Sequence, residues 1–319
     1  MNKRCNKKGF EFSFAWMFAI IVGIVIIMLA VYASTKILRT GEYQQSSETA
    51  KKLTTIFDPL ETSTGSSRSG IITLDQEIKL YDDCYTDGNY GRQTISIATK
   101  KSFSEEYGEK SAGTEVSNKY IFGEGETEGK DYYYQTESYE SPFKVADIII
   151  LTTRKYCYIQ APTEVAEEIT GLGMKNVKLA SNAGECVEGE VRVCFTGTGG
   201  AKCDVTVTGQ AGSFEEGYIT KGTERVNYVG KLIYAGIVAD AKNYECNVKR
   251  LMMRTGTLAN IYLKESQYLS TKGCNTGMEM ELSRLSNTIT NSYESSIDLI
   301  TKIKPVVKGI EQNNVCRIW

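Results

Sequence analysis

The sequence predicts an α+β protein: an N-terminal transmembrane helix, a mainly antiparallel β ectodomain and a C-terminal helical hairpin, braced by disulfides. Three observations predict it. A run of uncharged, mostly apolar residues from Phe14 to Ala33 follows a basic N-terminus. Beyond that run, short strand-like segments fill the chain to about residue 224, where helical spacing takes over. Of nine cysteines, only Cys5 precedes the apolar run.

Residues 1–13 carry Lys3, Arg4, Lys7 and Lys8 against Glu11. At ~1.5 Å of rise per residue, Phe14 to Ala33 makes a helix about as long as the bilayer hydrocarbon is thick, and the span is assigned to 14–35. Trp16 and Tyr32 lie near its ends, where amphipathic rings favour the interface. The basic bias ahead of the span places the N-terminus in the cytoplasm and the bulk outside, in a single-pass protein of the cell membrane. Three readings of the segment stay open. It is an uncleaved anchor, or a secretory signal peptide cut between Ala33 and Ser34, or a leader cut between Gly9 and Phe10. The last rests on Lys7-Lys8-Gly9-Phe10, which resembles a prepilin peptidase site. Such a leader leaves the apolar helix on the mature protein.

Residues 36–61 read as a helical stalk with a weak point at Gly41. Ala50, Leu53, Ile56, Phe57 and Leu60 recur at helical spacing, and Pro59 ends the pattern. An amphipathic helix packed on the head fits the same residues. The Ser/Thr/Gly-rich stretch 62–70 is a loop.

The β-rich part covers 62–224. Ile71 to Leu74 and Ile78 to Tyr81 precede a turn at 87–91, and Ile95 and Ile97 alternate with polar residues as in a half-buried strand. Tyr120 to Phe122 and Tyr132 to Tyr134 flank an acidic hairpin loop. Ile148 to Leu151 reads as a buried strand with Tyr156 to Ile159 as its neighbour. Thr163 caps a short helix ended by Gly171. Val177 to Ala180, Val191 to Phe195 and Val205 to Thr208 are three more strands.

The helical part covers 225–319. Val226 to Ala239 reads as a core helix. A long amphipathic helix over about 244–271 shows Val248, Leu251, Leu258, Tyr262 and Leu269 on one face. After a turn at 273–277 a last helical stretch runs to Ile310, kinked or restarted at Pro305. The two long helices should lie antiparallel.

Cys84, Cys157, Cys186, Cys194, Cys203, Cys246, Cys274 and Cys316 all follow the span. An even number there, with Cys5 alone on the other side, fits an oxidising exterior and up to four disulfides. No Cys-x-x-Cys pair occurs and there is no histidine, which argues against a zinc site. Cys194 and Cys203 bracket a turn-rich stretch and can face each other across a hairpin, with Cys186 an alternative partner for either. Cys246 and Cys316 are expected to pair across the helical hairpin.

The missing histidine excludes Ser-His-Asp and Cys-His catalysis and His-ligated haem. A net charge of −2 provides no basic field for nucleic acid. Gly197 to Lys202 lacks the phosphate-loop spacing, so it reads as a turn. Asp82, Asp83, Asp87 and Asn89 lack EF-hand spacing, so they read as a solvated turn rather than a calcium site. Tyr132 and Tyr134 should share one strand face and Tyr133 the other. No residue is assigned a catalytic, cofactor or metal role.

Several stretches together resemble uncharacterised archaeal membrane-anchored proteins with a type IV pilin-like N-terminal helix. They are Lys8-Gly9-Phe10-Glu11-Phe12-Ser13-Phe14, Lys144-Val145-Ala146-Asp147, the segment Cys246 to Met252, and the Cys316-Arg317-Ile318-Trp319 terminus. The resemblance implies an extracytoplasmic head on an anchor and brings no activity with it. The expectation is a membrane-anchored protein with a binding or assembly role, in contact with the lipid bilayer and with protein partners or copies of itself. An anchored hydrolase using carboxylates is the alternative.

Overall fold

The computed structural model describes residues 14–56, 67–101, 105–116, 118–195, 203–210 and 213–312. The fold is α+β, with an N-terminal apolar helix, two six-stranded sheets and a set of C-terminal helices.

Helix α1 runs unbroken from Phe14 to Ile56, through Gly41. Its first part, Phe14–Ile37, is long and apolar enough to cross a membrane, and none of it is buried by the rest of the chain. Its last turns behave otherwise. Ser46 and Ala50 are fully buried, and the Ser46 hydroxyl lies 3.4 Å from that of Thr99. Of the two readings of 36–61, a stalk or a helix packed on the head, the packed one holds at Ser46 and Ala50, and residues 57–61 lie outside the described residues. Leu53, Ile56, Phe57, Pro59 and Leu60 have no described side chains.

The first sheet has the order β3-β2-β1-β5-β6-β4. It contains β1 (Arg68–Tyr85), β2 (Arg92–Thr99), β3 (Thr114–Val116), β4 (Tyr120–Phe122), β5 (Glu126–Glu140) and β6 (Lys144–Thr152). The two expected segments at 71–74 and 78–81 are one long strand whose register against β5 shifts between Thr73 and Ile78. The strand begins at Arg68, inside the stretch expected to be a loop. The acidic hairpin is corrected too: Glu126 to Asp131 belong to β5, and β4 pairs in parallel with β6. A three-residue strand gains more by joining the continuous apolar run of β6 than by pairing across an acidic turn.

Gln93 on β2 hydrogen-bonds both the C=O (2.6 Å) and the N–H (3.1 Å) of Ile121 on β4. These strands lie near opposite ends of the sheet order, so the sheet is curled almost to closure. Its inner face holds Ile78, Leu80, Ile95, Ile97, Ile121, Tyr132, Ile149 and Leu151, with Ala50 of α1 in the same cluster. Curling and capping explain why β2 is not half-buried: Gln93 and every residue from Ile95 to Thr99 are buried. Tyr132 is inside and Tyr134 packs against the same cluster, as alternation requires.

The second sheet has the order β12-β11-β10-β9-β7-β8. It contains β7 (Tyr156–Ile159), β8 (Val177–Ala180), β9 (Val191–Phe195), β10 (Val205–Gln210), β11 (Ser213–Lys221) and β12 (Glu224–Val229). Strand β7 is not the neighbour of β6 but sits between β8 and β9, parallel to both, and β9 is parallel to β10. The β region is therefore mixed rather than mainly antiparallel. Helix α2 (Thr163–Leu172) starts after Pro162 without a side-chain cap and ends at Gly173, whose φ of 61° suits the left-handed C-cap; Gly171 lies inside it.

Residues 226–229 form a strand, so the expected helix at 226–239 shrinks to α3 (Leu232–Val238) and the β-to-helix change falls near 230. Strand β12 pairs with β11 along its length, which outweighs a short apolar run's helical preference. Helix α4 (Ala241–Thr271) is capped by Asp240, whose carboxylate accepts from the Asn243 N–H. Helix α5 (Glu279–Ser292) packs back along it; a Cβ on Gly256 would lie 3.2 Å from Ile289. The final stretch breaks at 293–296, ahead of Pro305. It resumes at Ile297 and runs through a π turn at Leu299–Ile303 straight into α6 (Lys304–Gln312), so Pro305 lies inside a continuous helical run and the irregular turn falls just before it. The main core draws on both sheets and on α2 to α6.

Candidate functional site

The side chains that close the first sheet also build its most chemically loaded site. β1 ends in Asp82, Asp83, Cys84 and Tyr85; the β4–β5 connection supplies Glu124 and Gly125; β5 opens with Glu126; and α4 begins at Asp240. Together with Lys242 and Asn243 they line a groove of about 480 Å³.

Asp82 forms its floor. The Gln93 amide donates to both its oxygens, at 2.7 and 2.8 Å, and Asn243 Nδ2 donates at 2.8 Å. Asn247 Nδ2 donates to the Ile121 carbonyl at 2.9 Å, adding a second donor to that edge of β4. Arg250 is fully buried and donates to Asn247 Oδ1 (2.8 Å), the Lys119 carbonyl (3.0 Å) and Gln93 Oε1 (3.1 Å), with its guanidinium over the Tyr120 ring. Asn243, Asn247 and Arg250 sit at i, i+4 and i+7, so one helix stripe reaches the seam of the curled sheet. An edge strand's backbone groups need partners once buried, and this stripe provides them. Gly91, at φ +60°, lets the Arg250 stem pass: a Cβ there would lie 2.7 Å from it.

Burial pushes the Asp82 carboxyl up to about 7, against the hydrogen bonds from Asn243 and Gln93 and the charge of Arg250. Burial also raises Glu124, opposed by Arg154 at 3.2 Å, and lowers the neighbouring Lys221 to about 8. Lys221 donates to the Ala239 carbonyl at 2.5 Å. Most of the other groove acids have partners: Asp83 with Lys110 (2.8 Å), Glu126 with Lys79 (2.9 Å), and Asp240 with the N–H groups of Gly125 and Asn243. The groove can therefore offer a carboxyl that changes charge near neutral pH, among acids held in place by bases.

A raised carboxyl binds its proton more tightly in the folded state than in the unfolded chain. The stability this gives is complete below the unfolded value and lost as pH rises through about 7. The urea midpoint is expected to fall between about pH 4 and pH 7, and Asp82→Asn is expected to flatten that slope while lowering the midpoint overall. A wild-type midpoint that climbs across the same window contradicts the assignment.

Cys84 pairs with Cys246 (Cα–Cα 6.1 Å), Cys157 with Cys186 (5.7 Å) and Cys194 with Cys203 (5.9 Å). The expected Cys246–Cys316 bridge is thus overturned: the start of α4 lies against the end of β1, which puts Cys84 nearer. Cys274 is disulfide-bonded as well. Cys194–Cys203 is the expected bond, but it ties β9 to the residues just before its parallel neighbour β10 rather than closing a hairpin. Cys157, Cys186 and Glu190 lie within ligand spacing of one another, yet the bonded sulfurs are not thiolates and cannot hold a metal as such. Cys5, Cys316, Gly9, Phe10 and the 197–202 turn lie outside the described residues.

Asp82, Asp83, Asp87 and Asn89 do not converge on one point. Asp82 is in the floor network, Asp83 meets Lys110, and Asp87 meets Arg92 at 3.3 Å. The polar stripe of α4 was not singled out from the sequence. Its signal is a buried-face spacing of Asn, Asn and Arg beside the apolar stripe. No family model matches the chain, and no curated protein or solved structure is significantly similar to it.

Proposed function

We propose that this chain is a single-pass, membrane-anchored extracytoplasmic protein with a binding or assembly role, as a pilin-like or adhesin-like surface component or a subunit of an envelope complex. The observation that carries this reading is the double character of α1. Its Phe14–Ile37 part is apolar yet unburied, while Ser46 and Ala50 of the same helix lie inside the head. Leaving so long an apolar surface in water is costly, and a bilayer removes the cost. Nine helical rises separate Ile37 from Ser46, or about 14 Å, so the head would stand close to the headgroups on a rigid connection. Three disulfides between described residues of the head, and the bonded Cys274, agree with an oxidising exterior.

The test is a thiol reagent that cannot cross membranes, applied to intact cells before and after reduction. The expected result is labelling of the head cysteines only after reduction, with the protein retained in the membrane fraction after alkaline extraction. Labelling of Cys5 on intact cells, or a head that stays unlabelled after reduction, overturns the topology. The mature N-terminus separates the three leader readings: Met1 for an anchor, Phe10 for prepilin-type processing, Ser34 for a signal peptide.

The acidic groove favours a second reading, an anchored extracytoplasmic hydrolase with Asp82 as acid or base. It predicts hydrolysis of a glycoside or peptide substrate that disappears in Asp82→Asn while the head stays folded. Unchanged turnover in that variant removes Asp82 from the chemistry.

A further inference from the structure

Away from the groove, a second set of titratable side chains meets where α2, α3 and β5 come together. Lys231, at the turn between β12 and α3, has its Nζ in direct contact with Glu168 Oε1 of α2 and 3.8 Å from Glu137 Oε2 of β5. The other oxygen of Glu168 accepts the Tyr234 hydroxyl at 2.5 Å. The Glu137 side chain is fully buried, and its oxygens accept Ser67 Oγ (2.5 Å) and Gln135 Nε2 (2.6 Å). An amine therefore faces one carboxyl at contact distance, with a second, dry carboxyl beside it.

We propose that Lys231 and Glu168 become joined by an amide bond that the chain forms by itself, with Glu137 and Tyr234 as the catalytic residues.

The step balances without any co-reactant. Within the contact, a proton passes from the Lys231 ammonium to Glu168, leaving a neutral amine and a neutral acid. The amine lone pair attacks Glu168 Cδ, the N–C bond forms, and the carbonyl electron pair moves onto Oε2, where the Tyr234 hydroxyl already donates. The Glu137 carboxylate takes a proton from the nitrogen and delivers it to Oε1. The C–O bond then breaks, the C=O reforms, and one water leaves; nothing is oxidised or reduced. Burial pushes Glu137 above the ordinary carboxylate range, which suits a group that must hold and return a proton.

One magnitude favours the covalent outcome over a plain ion pair. Well-oriented intramolecular reactions reach effective molarities on the order of 10⁵–10⁸ M, enough to lower the barrier to a condensation that dilute reactants do not undergo. Lys231 is 42% exposed and Glu168 21%, which gives the departing water a route out. The bond would tie α2 to the β12–α3 turn, a useful brace for a head that works outside the cell. The inference does not depend on the membrane topology.

The experiment is mass spectrometry of the full-length protein, reduced, alkylated and digested with trypsin. The expected result is a missing cut after Lys231 and a linked species, lighter by one water, that joins residues 156–175 to 226–242. Glu137→Gln keeps the shape of the site but has no base, and Lys231→Arg keeps the charge but has no amine to acylate. Both are expected to lose the linked species and give separate peptides. Efficient cutting after Lys231 in the wild type, with Glu168 in an unmodified peptide, overturns the proposal. A link to residues 131–144 instead, which contain Glu137, overturns the assignment of roles.

Discussion

Arg250→Met is expected to lower the unfolding free energy by about 3–5 kcal/mol, the cost of removing one member of a buried, hydrogen-bonded polar cluster. The side chain is fully buried, so methionine keeps most of the volume and the loss is polar. The Lys119 carbonyl, Gln93 Oε1 and Asn247 Oδ1 each lose a donor. Asp82 loses the positive charge that opposes its burial and moves further up. Arg250→Lys is expected to rescue little, because all three bonds come from Nη1 at the tip of a side chain longer than lysine's, and the Nη2 contact with the Val116 carbonyl and the flat guanidinium over Tyr120 are lost as well. Urea unfolding followed by circular dichroism measures both variants. A loss below ~1 kcal/mol for Arg250→Met means that the hydrogen bonds of Arg250 are not what holds the seam between β2 and β4.

The second large effect concerns the cross-links. In the loop-entropy picture, the stabilisation grows with the length of chain closed. Cys84–Cys246 closes a separation of 162 residues, Cys157–Cys186 one of 29 and Cys194–Cys203 one of 9. Replacing each pair by serine is expected to cost about 5, 3.6 and 2.6 kcal/mol respectively. The first loss should be the largest for another reason too. Cys246 lies between Asn243 and Asn247, so the bond holds the amides of α4 against Asp82 and Ile121. Thermal unfolding of the three double variants gives the order. If Cys84→Ser/Cys246→Ser were the mildest of the three, the bond would not be what fastens α4 to the curled sheet.

Several features were legible from the chain alone because their causes are local. The apolar run became one helix that nothing in the fold buries, since length and absence of charge are properties of the segment itself. Ile148 to Leu151 was readable as a buried strand because it is apolar without alternation, and β6 is buried from Val145 to Thr152. The turn at 273–277 and the antiparallel run of α4 and α5 followed from helical period and a short connection. Cys194–Cys203 was within reach because so few residues separate the two.

The misses share the opposite property. Nothing near Tyr120 or Tyr156 says that β4 joins β6 in parallel, or that β7 leaves that sheet for another. Gln93 and Arg250 are ordinary polar residues until the sheet curls and α4 arrives at its seam. Their burial, and the rise of Asp82, are consequences of packing between segments far apart in the chain. Cys84 found Cys246 for the same reason.

The order of amino acids by itself settled which stretches coil, which extend, which one shuns water without a partner in the fold, and how many sulfurs are present to be joined. Tertiary structure alone decided which strand lies beside which, which sulfurs meet, and which polar side chains end up dry. The division has a physical root: hydrophobic period and chain length act over a few residues, whereas pairing and desolvation depend on neighbours that the chain brings in from a distance.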